Sequence, residues 1–309
     1  MENCVLTIGK FEGIHLGHQA LLAEVVRQAK QLGIASAAMI FEPHPYIFLN
    51  DAQYKPLFAN DERSHLLENT GLDYIFYCPF DKNLVALSPE NFCKMLFDKY
   101  NAKLVIVGED YRFGKNRAGD TALLQNEAAK YDSKVQIVPT CRGGILPPED
   151  TLQPIISTSN IRKHLTENNM AEASRQLGFP FFIMGKVAKG KQLGRTIGFP
   201  TLNMYPPNEK FLPPDGVYAT QTTVNGKTYR SITNIGLRPT VDSDSKVRSV
   251  ETHLFDYTGS DLYGQHIKIE LLEFIRPERR FNSLEELKSQ IAKDVLQAKK
   301  FSWSVILTS

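Results

Sequence analysis

Val5-Leu6-Thr7-Ile8-Gly9-Lys10-Phe11-Glu12-Gly13-Ile14-His15-Leu16-Gly17-His18 is the run on which the reading of this chain turns. Residues 5–8 form an apolar stretch of strand length. From His18 to Gln31 the apolar positions Leu21, Leu22, Val25, Val26 and Ala29 recur at helical spacing. Gly33 then stands where a helix closes in the left-handed region. Strand, Gly-containing loop and helix in that order predict a βα unit. Its loop lies beyond the carboxyl end of the strand, where open α/β sheets bind ligands. Glycines let the backbone approach a phosphate chain, and the helix start offers free N–H donors in a favourable dipole. His15 and His18 are three apart with Gly17 between them, a spacing that aims both imidazoles at the same phosphates. There they would donate hydrogen bonds to the charge that grows on a departing phosphate group.

Outward from this unit the same grammar continues. Residues 34–41, 74–77, 104–107 and 135–138 read as strands, with helices opening at Ser88-Pro89-Glu90 and at Thr121. Ser at the cap with Pro at the first helical position is a sound start signal. Such alternation predicts a parallel sheet covered on both faces. Near Phe181 the grammar becomes all-β, with strands over 182–187, 216–223, 227–232, 250–255 and 267–274. Asn225-Gly226 between two of these runs predicts a hairpin, because both residues tolerate the positive φ of a type I′ turn. A last helix begins at Ser283, with Glu286 completing a capping box and Leu284, Leu287, Ile291, Val295 and Ala298 as its apolar stripe. The chain of 309 residues is longer than one ordinary core needs. Two domains are expected, 1–180 and 181–309.

Bulk properties remove several classes. Lys and Arg number 36 against 34 Asp and Glu, a net charge of +2, so nothing global favours nucleic acid or a membrane surface. Cys4, Cys78, Cys93 and Cys141 are scattered without CxxC spacing, which argues against a disulfide framework and a zinc site. No basic stretch leading into an apolar region opens the chain, and no apolar run approaches the ~20 residues that span a bilayer. A cytoplasmic protein is expected, with no obligatory protein partner evident.

In the second half, Gly185-Lys186-Val187-Ala188-Lys189-Gly190 leads to Gly194-Arg195-Thr196-Ile197-Gly198-Phe199-Pro200-Thr201-Leu202-Asn203. The order G-x-x-x-x-G-K-[ST] is absent, so this is no Walker A loop. In an extended segment Thr201 and Asn203 point the same way. A hydroxyl and an amide oxygen are suitable hard ligands for Mg²⁺ beside ATP phosphates. Further on, Ser157 and Thr158 offer hydroxyls at a helix start, and Arg162 a fork for phosphate oxygens.

Residues 9–18 resemble the G-x-F-D-G-x-H-x-G-H form of the HxGH nucleotidylyltransferase motif, found in prokaryotic bifunctional riboflavin kinase/FAD synthetases. Phe41-Glu42-Pro43-His44-Pro45, Gly108-Glu109-Asp110-Tyr111-Arg112-Phe113-Gly114 and Ile156-Ser157-Thr158-Ser159-Asn160-Ile161-Arg162 follow in that family's order. Lys10 and Glu12 depart from it, standing where the family usually has Asn and Asp. The second half is similar to riboflavin kinases through the glycine-rich run, Gly216-Val217-Tyr218-Ala219, Asn234-Ile235-Gly236-Leu237-Arg238-Pro239-Thr240, Val250-Glu251-Thr252-His253 and Asp261-Leu262-Tyr263-Gly264.

The resemblance implies a Rossmann-like α/β nucleotidylyltransferase domain and a six-stranded all-β kinase barrel with a C-terminal helix. It implies phosphorylation of riboflavin to FMN with release of ADP, then adenylylation of FMN to FAD with release of pyrophosphate, both using ATP and Mg²⁺. Adenylylation would fall to His15, His18 and Arg162, with Gly9, Phe11, Gly13, Gly17, Ser157 and Thr158 around the nucleotide. Phe41, Pro43, His44, Pro45, Asp110, Arg112 and Phe113 would form the flavin side. In the barrel, Glu251 would be the base, Gly190, Gly194, Arg195, Thr201 and Asn203 would bind ATP, and Thr201 and Asn203 the metal. Two other readings stand beside this one: an adenylyltransferase for a different phosphate substrate, and a binding module that only senses flavin or nucleotide.

Overall fold

The computed structural model describes residues 2–49, 53–140, 155–190, 193–239 and 246–301. Cys141 and Thr240 lie outside them, as does the side chain of Arg195. The chain divides into two compact units, 1–158 and 159–309.

In the first unit the strands are β1 (Cys4–Gly9), β2 (Ala35–Glu42), β3 (Tyr74–Pro79), β4 (Ala102–Gly108) and β5 (Lys134–Val138). The helices are α1 (Leu16–Leu32), α2 (Pro45–Leu49), α3 (Asn60–Glu68), α4 (Lys82–Ala86), α5 (Pro89–Lys94) and α6 (Thr121–Ala129). Among the described residues the sheet order is β3-β2-β1-β4-β5, and every pairing is parallel. Both faces are covered, as the alternation predicts. Cys4, Leu6 and Ile8 of β1 pack with Phe92, Leu96 and Phe97 on one side, while Val5 packs with Val25 and Ala29 of α1 on the other. The order reverses at β1, so the crevice beyond the carboxyl ends of β1 and β4 is the topological switch point. The loops after Gly9 and Gly108 both leave from it.

The second unit carries α7 (Thr158–Thr166, whose first residue closes the first unit), α8 (Met170–Leu177) and the short turn α9 (Leu193–Thr196). Its strands are β6 (Phe182–Lys186), β7 (Leu202–Met204), β8 (Gly216–Val224), β9 (Lys227–Pro239), β10 (Lys246–Leu254) and β11 (His266–Pro277), and α10 (Leu284–Lys300) follows. They pair antiparallel in the order β6-β11-β8-β9-β10-β7. An isolated bridge between Ala188 and Asn203 ties the chain leaving β6 to β7, nearly closing the sheet into a barrel. Asn225 and Gly226 carry φ of 49° and 76°, as the hairpin requires.

Part of this barrel is lined with hydroxyls. Thr220 bonds to Ser231 at 2.7 Å and to Thr233 at 2.9 Å, Thr222 to Ser231 at 2.8 Å, and Thr233 to Thr252 at 2.8 Å, all buried. Each hydroxyl satisfies its neighbour, which removes the penalty of burying it.

Helix α10 packs on β8, β9 and β11. Ser283 caps it by accepting from the Glu286 amide, and the Glu286 carboxylate reaches back to the Asn282 amide, one residue earlier than a capping box places it. Leu284, expected in the apolar stripe, is half exposed on the first turn. The helix is fixed instead by a fork: Arg276 of β11 bonds to both carboxylate oxygens of buried Asp294, and Gln290 also donates to Asp294 at 2.7 Å. Removing one partner of a buried pair strands the other charge. Asp294→Ala is therefore expected to destabilise the barrel by about 3–5 kcal/mol, read as a fall in its urea midpoint; a loss below ~1 kcal/mol would contradict this anchoring.

Candidate active sites

At the switch point the sequence builds a tight loop. Phe11 and Ile14 have φ of 45° and 43°, a region costly for side chains other than glycine. Such strain costs ~1–3 kcal/mol per residue. Both side chains are fully buried, and burial of each returns about 1.5–3 kcal/mol, enough to hold the loop. Gly9 is required here, since a Cβ would lie 2.9 Å from the Phe11 ring.

Helix α1 begins two residues before the predicted His18, because His15 is its N-cap. Its Nδ1 accepts from the His18 amide at 3.4 Å. That bond leaves the proton of the neutral ring on Nε2, as a donor. The two imidazoles stack with centroids 3.9 Å apart. Burial holds His15 down at about 4, and burial together with neighbouring His15 holds His18 well below the ordinary histidine value. Both rings are neutral near pH 7. His18 Nδ1 is buried without a hydrogen-bond partner among the described residues, an atom that a phosphate ligand would satisfy. Thr158 reaches this loop: a Cβ on Gly13 would meet its Oγ1 at 3.6 Å and the His15 ring at 3.8 Å. Gly17 lies in the first turn of α1, and half-buried Ser157 precedes Thr158.

The two departures have distinct surroundings. Glu12 is buried, accepting from the Leu57 amide at 3.0 Å and the Tyr54 hydroxyl at 2.5 Å, with His44 Nε2 at 3.5 Å. It ties residues 54–57 and the start of α2 to the loop after β1. Lys10 lies 4.2 Å from the centre of the Tyr46 ring, which stacks on Tyr54 and His44. Burial lowers its pKa, with Glu12 opposing and Arg117 adding to the shift.

The expected flavin-side residues leave the same sheet end. Phe41 ends in an edge contact with Phe80 at 5.4 Å, Pro43 follows a cis Glu42–Pro43 bond, and buried Pro45 opens α2. Asp110 is exposed beside Gly108, Arg112 pairs with Asp120 at 3.2 Å, and Phe113 is buried against Tyr111 and Phe92. Arg162 belongs to the second compact unit, its guanidinium 4.8 Å from the centre of the Phe211 ring.

In the barrel unit, Glu251 of β10 is directly opposite Asn234 of β9 and Asn203 of β7. Opposed residues share a face, so the three form one row. Glu251 and Asn234 line a cavity of about 280 Å³ walled by Phe199, Phe281, Leu287 and Ile291. Thr201 and His253 belong both to it and to a second cavity of about 390 Å³ bounded by residues 256–263. The glycines fit closely: a Cβ on Gly190 would fall 2.3 Å from Asn203 Nδ2, and one on Gly194 2.2 Å from the Phe199 carbonyl and 3.4 Å from Thr201 Oγ1. Asn203 Nδ2 bonds to the Thr201 carbonyl at 3.4 Å, while its Oδ1 is buried without a partner among the described residues. A hard cation would satisfy that oxygen, so the donor set fits Mg²⁺. Among the described residues no cluster of His, Cys, Asp and Glu forms another metal site.

Sequence reading missed Asn234, His253, Arg276, Glu278 and Phe281 as cavity residues. Asn234 donates to Glu278 at 3.1 Å, and Gly236 leaves space for that carboxylate. The charged run Arg276-Pro277-Glu278-Arg279-Arg280-Phe281 at the end of a strand was the available signal.

Comparison with known proteins accords with both halves. Residues 1–145 match the family model described as FAD synthetase, and residues 177–302 the one described as riboflavin kinase. A bifunctional riboflavin kinase/FMN adenylyltransferase of Escherichia coli K12 is 40% identical over 97% of this chain and 93% of its own length. The chain belongs to the bifunctional riboflavin kinase/FMN adenylyltransferase family. A Listeria monocytogenes protein of the same description is 32% identical over 97% of this chain and 92% of its own. A solved structure described as a macrolide-efflux protein from Streptococcus pneumoniae superposes with a TM-score of 0.84 at 28% identity, covering 97% of this chain and 95% of that one. Among the described residues no helix is long and apolar enough to cross a membrane.

Proposed function

We propose that this member of the family makes FMN in its barrel and FAD at the end of its parallel sheet, consuming one ATP at each step. The supporting observation is the row Asn203–Glu251–Asn234 beside an apolar cavity, on a chain that also carries two neutral histidines at a switch-point helix start. We assign phosphorylation to residues 181–309 and adenylylation to 1–180.

In the barrel, the flavin ring system lies among Phe199, Phe281, Leu287 and Ile291, and ATP occupies the adjoining cavity across Thr201. Glu251 accepts the proton of the ribityl 5′-hydroxyl as that oxygen attacks the γ-phosphorus and the bond to ADP breaks. Thr201 Oγ1 and Asn203 Oδ1 would hold Mg²⁺, which would supply positive charge beside the transferring phosphates. Gly190 and Gly194 let the backbone close on them.

In the first domain, an oxygen of the FMN phosphate attacks the α-phosphorus of a second ATP in line, and pyrophosphate leaves. The nucleophile comes from the substrate, so no covalent enzyme intermediate is needed. His15 and His18 donate hydrogen bonds to the developing charge, with Thr158 and the α1 amides around it. Phe41, Pro43, His44, Pro45, Asp110, Arg112 and Phe113 are assigned to the flavin side. Neither step calls for nucleic acid, a membrane or an obligatory protein partner, and ATP supply is met in the cytoplasm.

The test is incubation of the full chain with riboflavin, ATP and Mg²⁺, followed by separation of the flavins. FMN should appear first and FAD after it. FMN without FAD would refute the second activity, and unchanged riboflavin the first.

A further inference from the structure

We propose that His253 is a positioning residue for phosphoryl transfer: its imidazole pins residues 199–201 against β10 and thereby sets Thr201 beside Asn203. This deepens the kinase reading above and rests on it.

The ladder between β10 and β7 pairs Val250 with Met204, Glu251 with Asn203 and Thr252 with Leu202, and there it ends. Two residues further back stands Pro200, which has no N–H to offer another rung. A side chain takes over at that point. His253 Nδ1 lies 2.8 Å from the Pro200 carbonyl oxygen. A carbonyl only accepts, so the imidazole donates from Nδ1 and the neutral ring keeps its lone pair on Nε2. The Phe199 ring meets the same imidazole edge-on, with centroids 5.5 Å apart.

The segment is held from its other side by Gly194, whose carbonyl accepts from the Phe199 amide at 2.8 Å and whose lack of a side chain makes room for the Phe199 carbonyl. Residues 199–201 are thus clamped between a glycine that permits close approach and a histidine that supplies the donor. The clamped segment ends on Thr201, which with Asn203 forms the proposed metal and phosphate pair. His253 is two residues from Glu251 and so projects from the same face of β10. With Thr201 it forms the wall shared by the two cavities. Losing the donor frees Thr201 on the nucleotide side, while Phe281, Leu287 and Ile291 stay in place and the Phe199 amide keeps its bond to Gly194.

The experiment is steady-state FMN formation by the full chain at varied Mg²⁺ and varied riboflavin, comparing wild type, His253→Leu and His253→Asn. Leu removes the donor and keeps apolar bulk, whereas Asn places an N–H near the position of Nδ1. We expect His253→Leu to raise the Mg²⁺ concentration for half-maximal rate about tenfold, the size of one lost hydrogen bond, with the riboflavin KM within about twofold. His253→Asn should recover most of the loss. FAD formation from supplied FMN should be unchanged in both, and the retained riboflavin KM reports that the barrel is folded. A wild-type Mg²⁺ dependence in His253→Leu would overturn the proposal. So would equal damage in Leu and Asn with both constants rising together, because that pattern reports general loss of packing. Glu251→Gln run alongside separates the two levels of the argument. If it keeps FMN formation, the underlying site is misassigned; if it loses FMN formation while His253→Leu behaves as wild type, the pin alone fails.

Discussion

Glu251→Gln is expected to lower the rate of FMN formation by about 10²–10⁴, the usual contribution of a positioned general base. The substitution is nearly isosteric, so the row from Asn203 through Glu251 to Asn234 keeps its register and the cavity its shape. What disappears is a carboxylate able to take the ribityl proton as the oxygen attacks. The loss belongs to the chemical step, so riboflavin should bind with a Kd within about threefold of wild type, and kcat should carry the effect. FAD formation from supplied FMN should persist, because it is assigned to residues 1–180. Rapid-quench measurement of FMN formation checks this. A rate within about threefold of wild type would remove Glu251 from the role of base.

His18→Ala is expected to lower adenylylation of FMN by about 10²–10³, the cost of removing one donor aimed at developing charge. His18 is the cleaner target of the pair. The His15 side chain caps α1, so its removal to alanine would also cost about 1 kcal/mol of helix stability. Among the described residues the His18 Nδ1 makes no bond that the fold would lose, and its backbone amide, which does, is retained. His15→Asn, which preserves a capping side chain, should show a comparable loss of rate without the stability penalty. Riboflavin phosphorylation should be unaffected in both. The check is pyrophosphate release with FMN and ATP as substrates. A His18→Ala protein releasing it at the wild-type rate would dismiss the histidine pair from the chemistry.

Much of the architecture was legible because its signals are local. The strand at residues 5–8, the 3.6-residue spacing of Leu22, Val25 and Ala29, and the Gly33 cap all act within one element, and each appears in the fold with bounds shifted by one or two residues. In the barrel the pattern was harder to read. Strand β9 continues from Ile232 through Thr233, Asn234 and Ile235 to Pro239, although the run looks too polar for a barrel wall. Its inward Ser231 and Thr233 are satisfied by Thr220, Thr222 and Thr252, partners invisible until β8 and β10 are paired with it. Strand β7 has three residues, too few to show alternation.

The sites divide the same way. HxGH and the threonine–asparagine pair are short runs, and their neighbours follow from the chain. The Glu12 clamp depends on Tyr54 and Leu57, more than forty residues away. That contact explains what the extra methylene relative to the family's aspartate reaches. The wall of the barrel cavity draws on β9, β10, the end of β11 and α10, so only the paired sheet brings it together.

The central claim is two successive transfers from ATP on one chain, and isotope tracing tests it most directly. Riboflavin and Mg²⁺ are supplied with ATP labelled in either the γ- or the α-phosphorus, and the flavins are separated. The γ-label should enter FMN and persist in FAD, while the α-label should enter FAD alone and never FMN. Absence of γ-label from FMN, or of α-label from FAD, would contradict the account.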